Sequence, residues 1–214
     1  MNELLVADFR SIIFEIKAIV DTNQDLLMQL DSVMGDGDLG FTMTRAFSAA
    51  QEEALHSGES IPGKLLSRIG MVIAKASPST MGTLVATGFM KGGRALGEKE
   101  KTGTEDLAQF FEAFVQSIME RGKSVPGNKT IIDVLSPAAR AFRESVIEQH
   151  SMKDAMTAAK LASEKGLLES TMMKAQHGRA AYYQENSIGK QDGGATVGTY
   201  IIDGFYNYII KEPS

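Results

Sequence analysis

Apolar residues recur at spacings of three and four along most of this chain, and that period restricts it to helices. Leu5, Phe9, Ile12, Ile16 and Ile19 fall on one helical face. Leu65, Ile69 and Val72 do the same, as do Leu107, Phe111, Phe114 and Ile118. Ile131, Leu135, Ala138, Phe142 and Val146 form a fourth stripe, and Ile201, Phe205 and Ile209 a fifth. The stretch from Met152 to Met173 is rich in Ala, Met, Leu and Lys, all good helix formers. Only residues 74–87 and 196–202 have a strand-like composition, and both are short and sit beside stronger helical stripes. The expected fold is all-α, with about eight helices in a single domain over residues 1–214.

Glycine accounts for 21 of the 214 residues, above the usual ~7%. The glycines cluster in the breaks between stripes, at 35–40, 76–83, 122–130 and 178–194. If alternate helix ends meet at one rim, these breaks converge there. Cysteine is absent, so disulfides, thiolate nucleophiles and thiolate metal sites are excluded. That absence and the N-terminus, which has neither a basic leader nor a small-residue cleavage site, fit a cytoplasmic protein. The longest weakly polar stretch, 80–90, is far short of the ~20 residues of a membrane helix. A net charge of −5 argues against nucleic acid as a partner.

Three familiar patterns match on paper and fail on physics. Gly35, Gly37 and Gly40 satisfy G-x-G-x-x-G, but the preceding residues 25–30 read as helix where a dinucleotide turn needs a strand. Gly58, Gly63 and Lys64 satisfy G-x-x-x-x-G-K, but Leu65 replaces the magnesium-holding hydroxyl. An EF-hand opening at Asp36 would put Phe47 where a bidentate Glu is needed.

What remains is Asp31, Asp36 and Asp38, wrapped in glycines. Three carboxylates so close repel one another unless a cation lies between them. Hard oxygen ligands without His or Cys suit Mg²⁺ or Ca²⁺. An acidic turn capping a helix that starts near Leu39 is the other reading. Ser79, Thr80, Gly82 and Thr83 offer hydroxyls and open N–H groups at a helix start, a natural anion site. Lys129 and Arg179 supply positive charge in two further loops, and Asp192-Gly193-Gly194 opens the last helix. Together these are the parts of a phosphoryl-transfer site.

The segments LDSVMGDGDLG (30–40), STMGTL (79–84), GNKTIIDVLSPA (127–138) and GRAAYYQENSIGKQDGGAT (178–196) resemble, in order, the motifs of the nucleotide-binding L subunit of bacterial dihydroxyacetone kinase, the DhaL family. The resemblance implies a barrel of about eight antiparallel helices with ADP or ATP and two Mg²⁺ held at one rim. On that pattern Asp31, Asp36 and Asp38 are the metal ligands. Leu39, Gly40, Thr42, Ser79, Thr80, Met81, Gly82, Gly127, Ser136, Pro137, Asp192 and Gly193 are nucleotide contacts. Arg179 matches the Arg near the phosphates and is the catalytic candidate. His56 and His150 read as surface residues, and His177 as a neighbour of the nucleotide.

Five positions depart from the commonest family pattern. Leu39 and Thr42 stand where His and Asn are usual, Met81 where Ser or Thr is, Asn128 where Asp is, and Gly193 where Pro is. The implied activity is a phosphotransferase: the γ-phosphoryl of bound nucleotide passes to dihydroxyacetone on a separate ketose-binding subunit, and a phosphotransferase-system phosphocarrier recharges the ADP. Free ATP as donor, or a ketose such as erythrulose as acceptor, are alternatives. So is a nucleotide-dependent adaptor that signals to a transcription regulator. A homodimer is a further expectation.

Overall fold

A computed structural model describes residues 3–211, and most of them are helical. The helices are α1 (Val6–Thr22), α2 (Gln24–Met34), α3 (Leu39–His56), α4 (Pro62–Ala76), α5 (Thr80–Leu96), α6 (Thr104–Gly122), α7 (Ile132–Ile147), α8 (Met152–Ser170) and α9 (Gly193–Lys211). All five apolar stripes lie on helices, although Leu5 and Ile131 are left outside as the residues just before α1 and α7. Both strand-like stretches fold into helix, in α4–α5 and α9. One two-residue antiparallel ladder pairs β1 (Glu3–Leu4) with β2 (Thr102–Gly103). Two residues are too few to register as alternation in the sequence.

Eight of the helices close a ring, in the order α1, α3, α4, α5, α6, α7, α8, α9 and back to α1. The fold is therefore the expected all-α barrel. The ninth helix, α2, is the short piece that lies over α3 and α9 at one rim. The interior holds a cluster of phenylalanines among Ile, Leu and Ala side chains. Phe9, Phe47, Phe89, Phe110, Phe114, Phe142 and Phe205 are almost wholly buried. Their rings meet edge to face, as with Phe89 and Phe114 at 5.2 Å. Such rings carry a large apolar burial and add about 0.5–1.5 kcal/mol per well-oriented pair. Glycines let α4 and α5 approach closely. A β-carbon on Gly63 would come within 2.5 Å of the Gly93 carbonyl.

The ring alternates direction, which separates two rims. At one, α3, α5, α7 and α9 begin. At the other, α1, α4, α6 and α8 begin, and the β-ladder joins the starts of α1 and α6. No helix among the described residues is long and apolar enough to cross a membrane.

Candidate functional site

The first turns of α3, α5 and α9 and the residues just before α7 line one cleft of about 440 Å³. That is within the range of small-molecule sites. Helix starts present unpaired N–H groups and the positive end of the helix dipole, so four of them around one cleft favour an anion. The wall includes Asp31, Asp36, Asp38, Leu39, Thr42, Ser79, Thr80, Met81, Lys129, His177, Arg179, Asp192 and Gly193. Residues 150 apart in sequence thus share one surface.

The acidic loop is built by Asp31. Its Oδ2 accepts from Asp38 N at 3.0 Å and Leu39 N at 3.3 Å, which caps the start of α3 from the preceding helix. Gly37, at φ 76°, makes the turn between them, a conformation that favours glycine. Asp38, although it precedes α3, makes no capping bond with its side chain. The helix-cap reading is therefore met by Asp31, and the carboxylates of Asp36 and Asp38 are not used for it. One oxygen from each of the three carboxylates lies within 4.8 Å of the others. Three hard oxygens at this spacing, with no histidine or cysteine in the group, fit Mg²⁺ or Ca²⁺.

Two loops complete the cleft. In α5, Ser79 accepts from Gly82 N at 3.0 Å and so acts as the N-cap, with Thr80 exposed in the next position. Across the cleft, residues 171–192 fold into a loop containing a 3₁₀ stretch over Arg179–Ser187, broken at Gln184. Arg179 Nη2 lies 2.5 Å from Asp36 Oδ2, and both side chains are well exposed. Such a pair is weak in water, so Arg179 is placed beside the carboxylates without being locked there. Asp192 Oδ2 accepts from Ala195 N at 2.7 Å and caps α9. Burial pushes its carboxyl up to about 6, against the opposing pull of the Ala195 N–H and the Lys129 charge.

Five expected nucleotide contacts are not among the residues that line the cleft. Gly40 is buried where α3 passes close to α2, with a β-carbon there within 2.3 Å of the Gln24 carbonyl. Gly82 packs on Ser77. Gly127 donates from its N–H to Asp133 Oδ1. Ser136 and Pro137 sit a turn inside α7, where Pro137 faces Gly166 of α8. Lys129 also differs from expectation: it reaches the wall, but its ammonium is bonded to main-chain carbonyls. His56 and His150 are on the surface, and His177 lines the cleft.

Sequence reasoning missed the apolar part of the wall, which is Leu30, Met34, Leu84 and Ile131. These are helix-end residues in core-like patterns, and nothing local separates them from packing. It also missed that the departures from the family pattern touch one another. A β-carbon on Gly193 would come within 2.6 Å of Leu39 Cδ2, and one on Gly194 within 2.7 Å of Met81 Cε. Leu39 and Met81 therefore fill space beside a glycine pair. Asn128 Oδ1 accepts from Val125 N at 3.0 Å and lies 3.1 Å from His177 Nε2.

At one rim of the helical barrel, helix starts, an acidic loop and an exposed arginine therefore meet, an arrangement whose chemistry suits a divalent cation and phosphate groups. The sequence matches the DAK2 domain family over residues 33–207, and the chain belongs to that family. It is 33% identical to the ADP-binding subunit DhaL of the PEP-dependent dihydroxyacetone kinase of Escherichia coli K12, over 83% of this chain and 85% of that one. It is also 33% identical to a DhaL subunit of Listeria innocua, over 82% of this chain and 83% of its relative. The L-erythrulose kinase of Pectobacterium atrosepticum is 29% identical over 86% of this chain but only 32% of its own length. Among solved structures, the dihydroxyacetone kinase of C. freundii in complex with AMP-PNP and Mg²⁺ has the same fold. The TM-score is 0.70 at 20% identity, covering 92% of this chain and 33% of that one.

Proposed function

We propose that this chain is the nucleotide-carrying subunit of a ketose kinase. Asp31, Asp36 and Asp38 hold two Mg²⁺, and ADP or ATP lies in the cleft with its phosphates toward the helix starts. The observation that carries this reading is the three-carboxylate cluster facing four helix N-termini within one cleft. Neither feature alone specifies a ligand. Together they suit a polyphosphate bridged by a divalent cation. Bound Mg²⁺ neutralises phosphate oxygens and orients the transferred group.

The chain's own groups do the rest. Thr80 and the N–H groups opening α5 and α9 hold phosphate oxygens. Arg179 places its planar fork where charge develops on the γ-phosphoryl. In the transfer, the bond from the γ-phosphorus to the leaving ADP oxygen breaks and one to a ketose hydroxyl oxygen forms, with release of the hydroxyl proton. The acceptor, dihydroxyacetone, is held by a separate ketose-binding subunit. The names of the relatives support this division, since those of matching length are ADP-binding subunits, while the erythrulose kinase is about three times as long. They support a phosphotransferase-system phosphocarrier as the source of phosphate as well, because the Lactococcus lactis relative is described as PTS-dependent.

The test is transfer itself. The chain loaded with ATP and Mg²⁺ is mixed with dihydroxyacetone and the ketose-binding subunit of a dihydroxyacetone kinase. Dihydroxyacetone phosphate should form in step with ADP. Hydrolysis of ATP with no phosphorylated ketose would refute the reading.

A further inference from the structure

Lys129 is the least expected cation in the molecule. It is 2% exposed, yet it sits in a loop with a left-handed backbone, φ 59°. A residue with a β-carbon held in that region is paid for only where surrounding contacts fix it. Three contacts fix it here. Lys129 Nζ donates to the carbonyls of Ser170 at 2.8 Å, Thr171 at 3.1 Å and Lys190 at 2.5 Å. An ammonium has three N–H bonds and no more. All three are taken, so none is left for a phosphate oxygen.

The three carbonyls bracket one segment. Ser170 and Thr171 close α8, and Lys190 stands just before α9, so the ammonium grips both ends of the loop that carries Arg179. Gly189 N, donating to Thr171 O at 2.8 Å, closes the same ends. The grip is itself anchored. Asp133, buried in the first turn of α7, accepts from Gly127 N at 2.5 Å and Thr130 N at 2.7 Å, which sets the turn that holds Lys129. Asn128 adds a second tie, its carbonyl accepting from Gln176 N at 3.2 Å. Asp192 and Asp133 are the charged groups facing Lys129, and both favour its ammonium form against the cost of burial.

We propose that Lys129 is a positioning residue for phosphoryl transfer. It clasps both ends of the 171–190 loop and thereby sets where Arg179 meets the transferred group, without touching the nucleotide. The proposal rests on the assignment of Arg179 above. Misplacing a reacting group by about 1 Å can cost roughly 10²-fold in rate. Loosening the clasp should therefore appear in the transfer rate before it appears in nucleotide affinity.

The test uses the full chain with Lys129→Met, alone and combined with Arg179→Ala. Three quantities are read: single-turnover transfer to dihydroxyacetone on the ketose-binding subunit, the Kd for Mg–ADP, and the rate of tryptic cleavage after Arg179. The Lys129→Met chain should transfer roughly 10- to 10²-fold more slowly, with Kd changed little and cleavage faster. In the Arg179→Ala background the same substitution should cost nothing further, because its effect runs through Arg179. Lys129→Arg, which keeps the charge, should recover part of the rate. Equal losses in both backgrounds, or a Kd that rises in step with the lost rate, would overturn the proposal. So would a faster-cut loop with normal transfer. An Arg179→Ala chain that transfers at the wild-type rate would sink the assignment beneath it and the proposal together. Should Lys129→Met not fold, Ser187→Ala loosens the same loop from inside. The buried Ser187 hydroxyl accepts from Ala175 N at 2.9 Å and donates to Gln184 O at 2.6 Å. It should show the same pattern with a smaller loss, and normal transfer with a faster-cut loop in that chain would count against the proposal in the same way.

Discussion

At the rim where α1, α4 and α6 begin, helix ends are tied to one another. Arg10 donates to the carbonyls of Ala54, Ser57 and Glu59, closing the end of α3. Arg143 bonds Glu105 at 2.6 Å and both oxygens of Glu112 at 2.7 and 2.8 Å. At the opposite rim, the exposed carboxylates of Asp36 and Asp38 cap no helix, and the backbone takes left-handed turns at Gly37, Lys123, Gly127, Lys129, Gly178, Gln184 and Gly189. Asp31 and Asp192 beside them do cap helices, so this rim divides its charges between the fold and the cleft where the far rim uses them on the fold. Lys129 is a cation used at the cleft rim as Arg10 is used at the far one.

This contrast is sharpest at the acidic loop. Asp36→Asn or Asp38→Asn should cut transfer by about 10³-fold or more and release nucleotide, because the cation supplies several kcal/mol of charge stabilisation. The melting temperature should hold or rise, since fewer carboxylates repel. Transfer assays and thermal melts on the same preparations check both halves. A mutant that keeps nucleotide and full activity would remove the metal assignment.

Arg179→Lys comes next. Lys keeps the charge but not the planar fork. Transfer should slow by roughly 10²-fold while the nucleotide dissociation rate changes little. An unchanged transfer rate would leave Arg179 a structural residue of its loop.

The far rim should behave in the opposite way. Arg10→Met leaves three carbonyls at the end of α3 and the following turn without their cation, and should cost about 2 kcal/mol of stability. Mg–ADP affinity should not move, as read by denaturant unfolding beside a binding titration. A change in affinity would show that the rims are not separable.

The smallest effect tests the cleft's own cost to the fold. Asp192 has a carboxyl raised by burial to about 6, so the folded state binds a proton that the unfolded chain releases at lower pH. Stability from this group is therefore greatest below the ordinary carboxylate pKa and is lost as pH rises through about 6. Asp192→Asn keeps an acceptor for Ala195 N. It should stabilise the chain by about 1 kcal/mol at pH 8, less than the full shift implies because the residue is partly exposed, and the gain should vanish near pH 4. Chemical denaturation at both pH values measures it, and a pH-independent difference would rule out the titration.

Much of this was legible in the sequence because it is local. The stripes from Phe9 to Ile209 gave the helices, and the spacing of Asp31, Asp36 and Asp38 among glycines marked the acidic loop whose carboxylates the fold gathers. What escaped depends on contacts across the fold. No pattern around Lys129 says that its charge is spent on carbonyls 41 and more residues away. The helical stripe from Ile131 to Val146 passes through Pro137, but only the fold shows that Gly166 of a neighbouring helix gives that proline room inside α7. Leu39 and Gly193 depart from the family pattern separately on paper and fit together only in space.

The central claim is that the cleft binds nucleotide through a divalent cation held by the aspartates. It is tested most directly by titrating ADP into the nucleotide-stripped chain with Mg²⁺ and with chelator, in the wild type and in Asp38→Asn. Removal of Mg²⁺ should weaken wild-type binding by at least roughly 10²-fold, about 2.7 kcal/mol, and Asp38→Asn should bind weakly under both conditions. Equal affinity with Mg²⁺ and with chelator in the wild type would contradict the account.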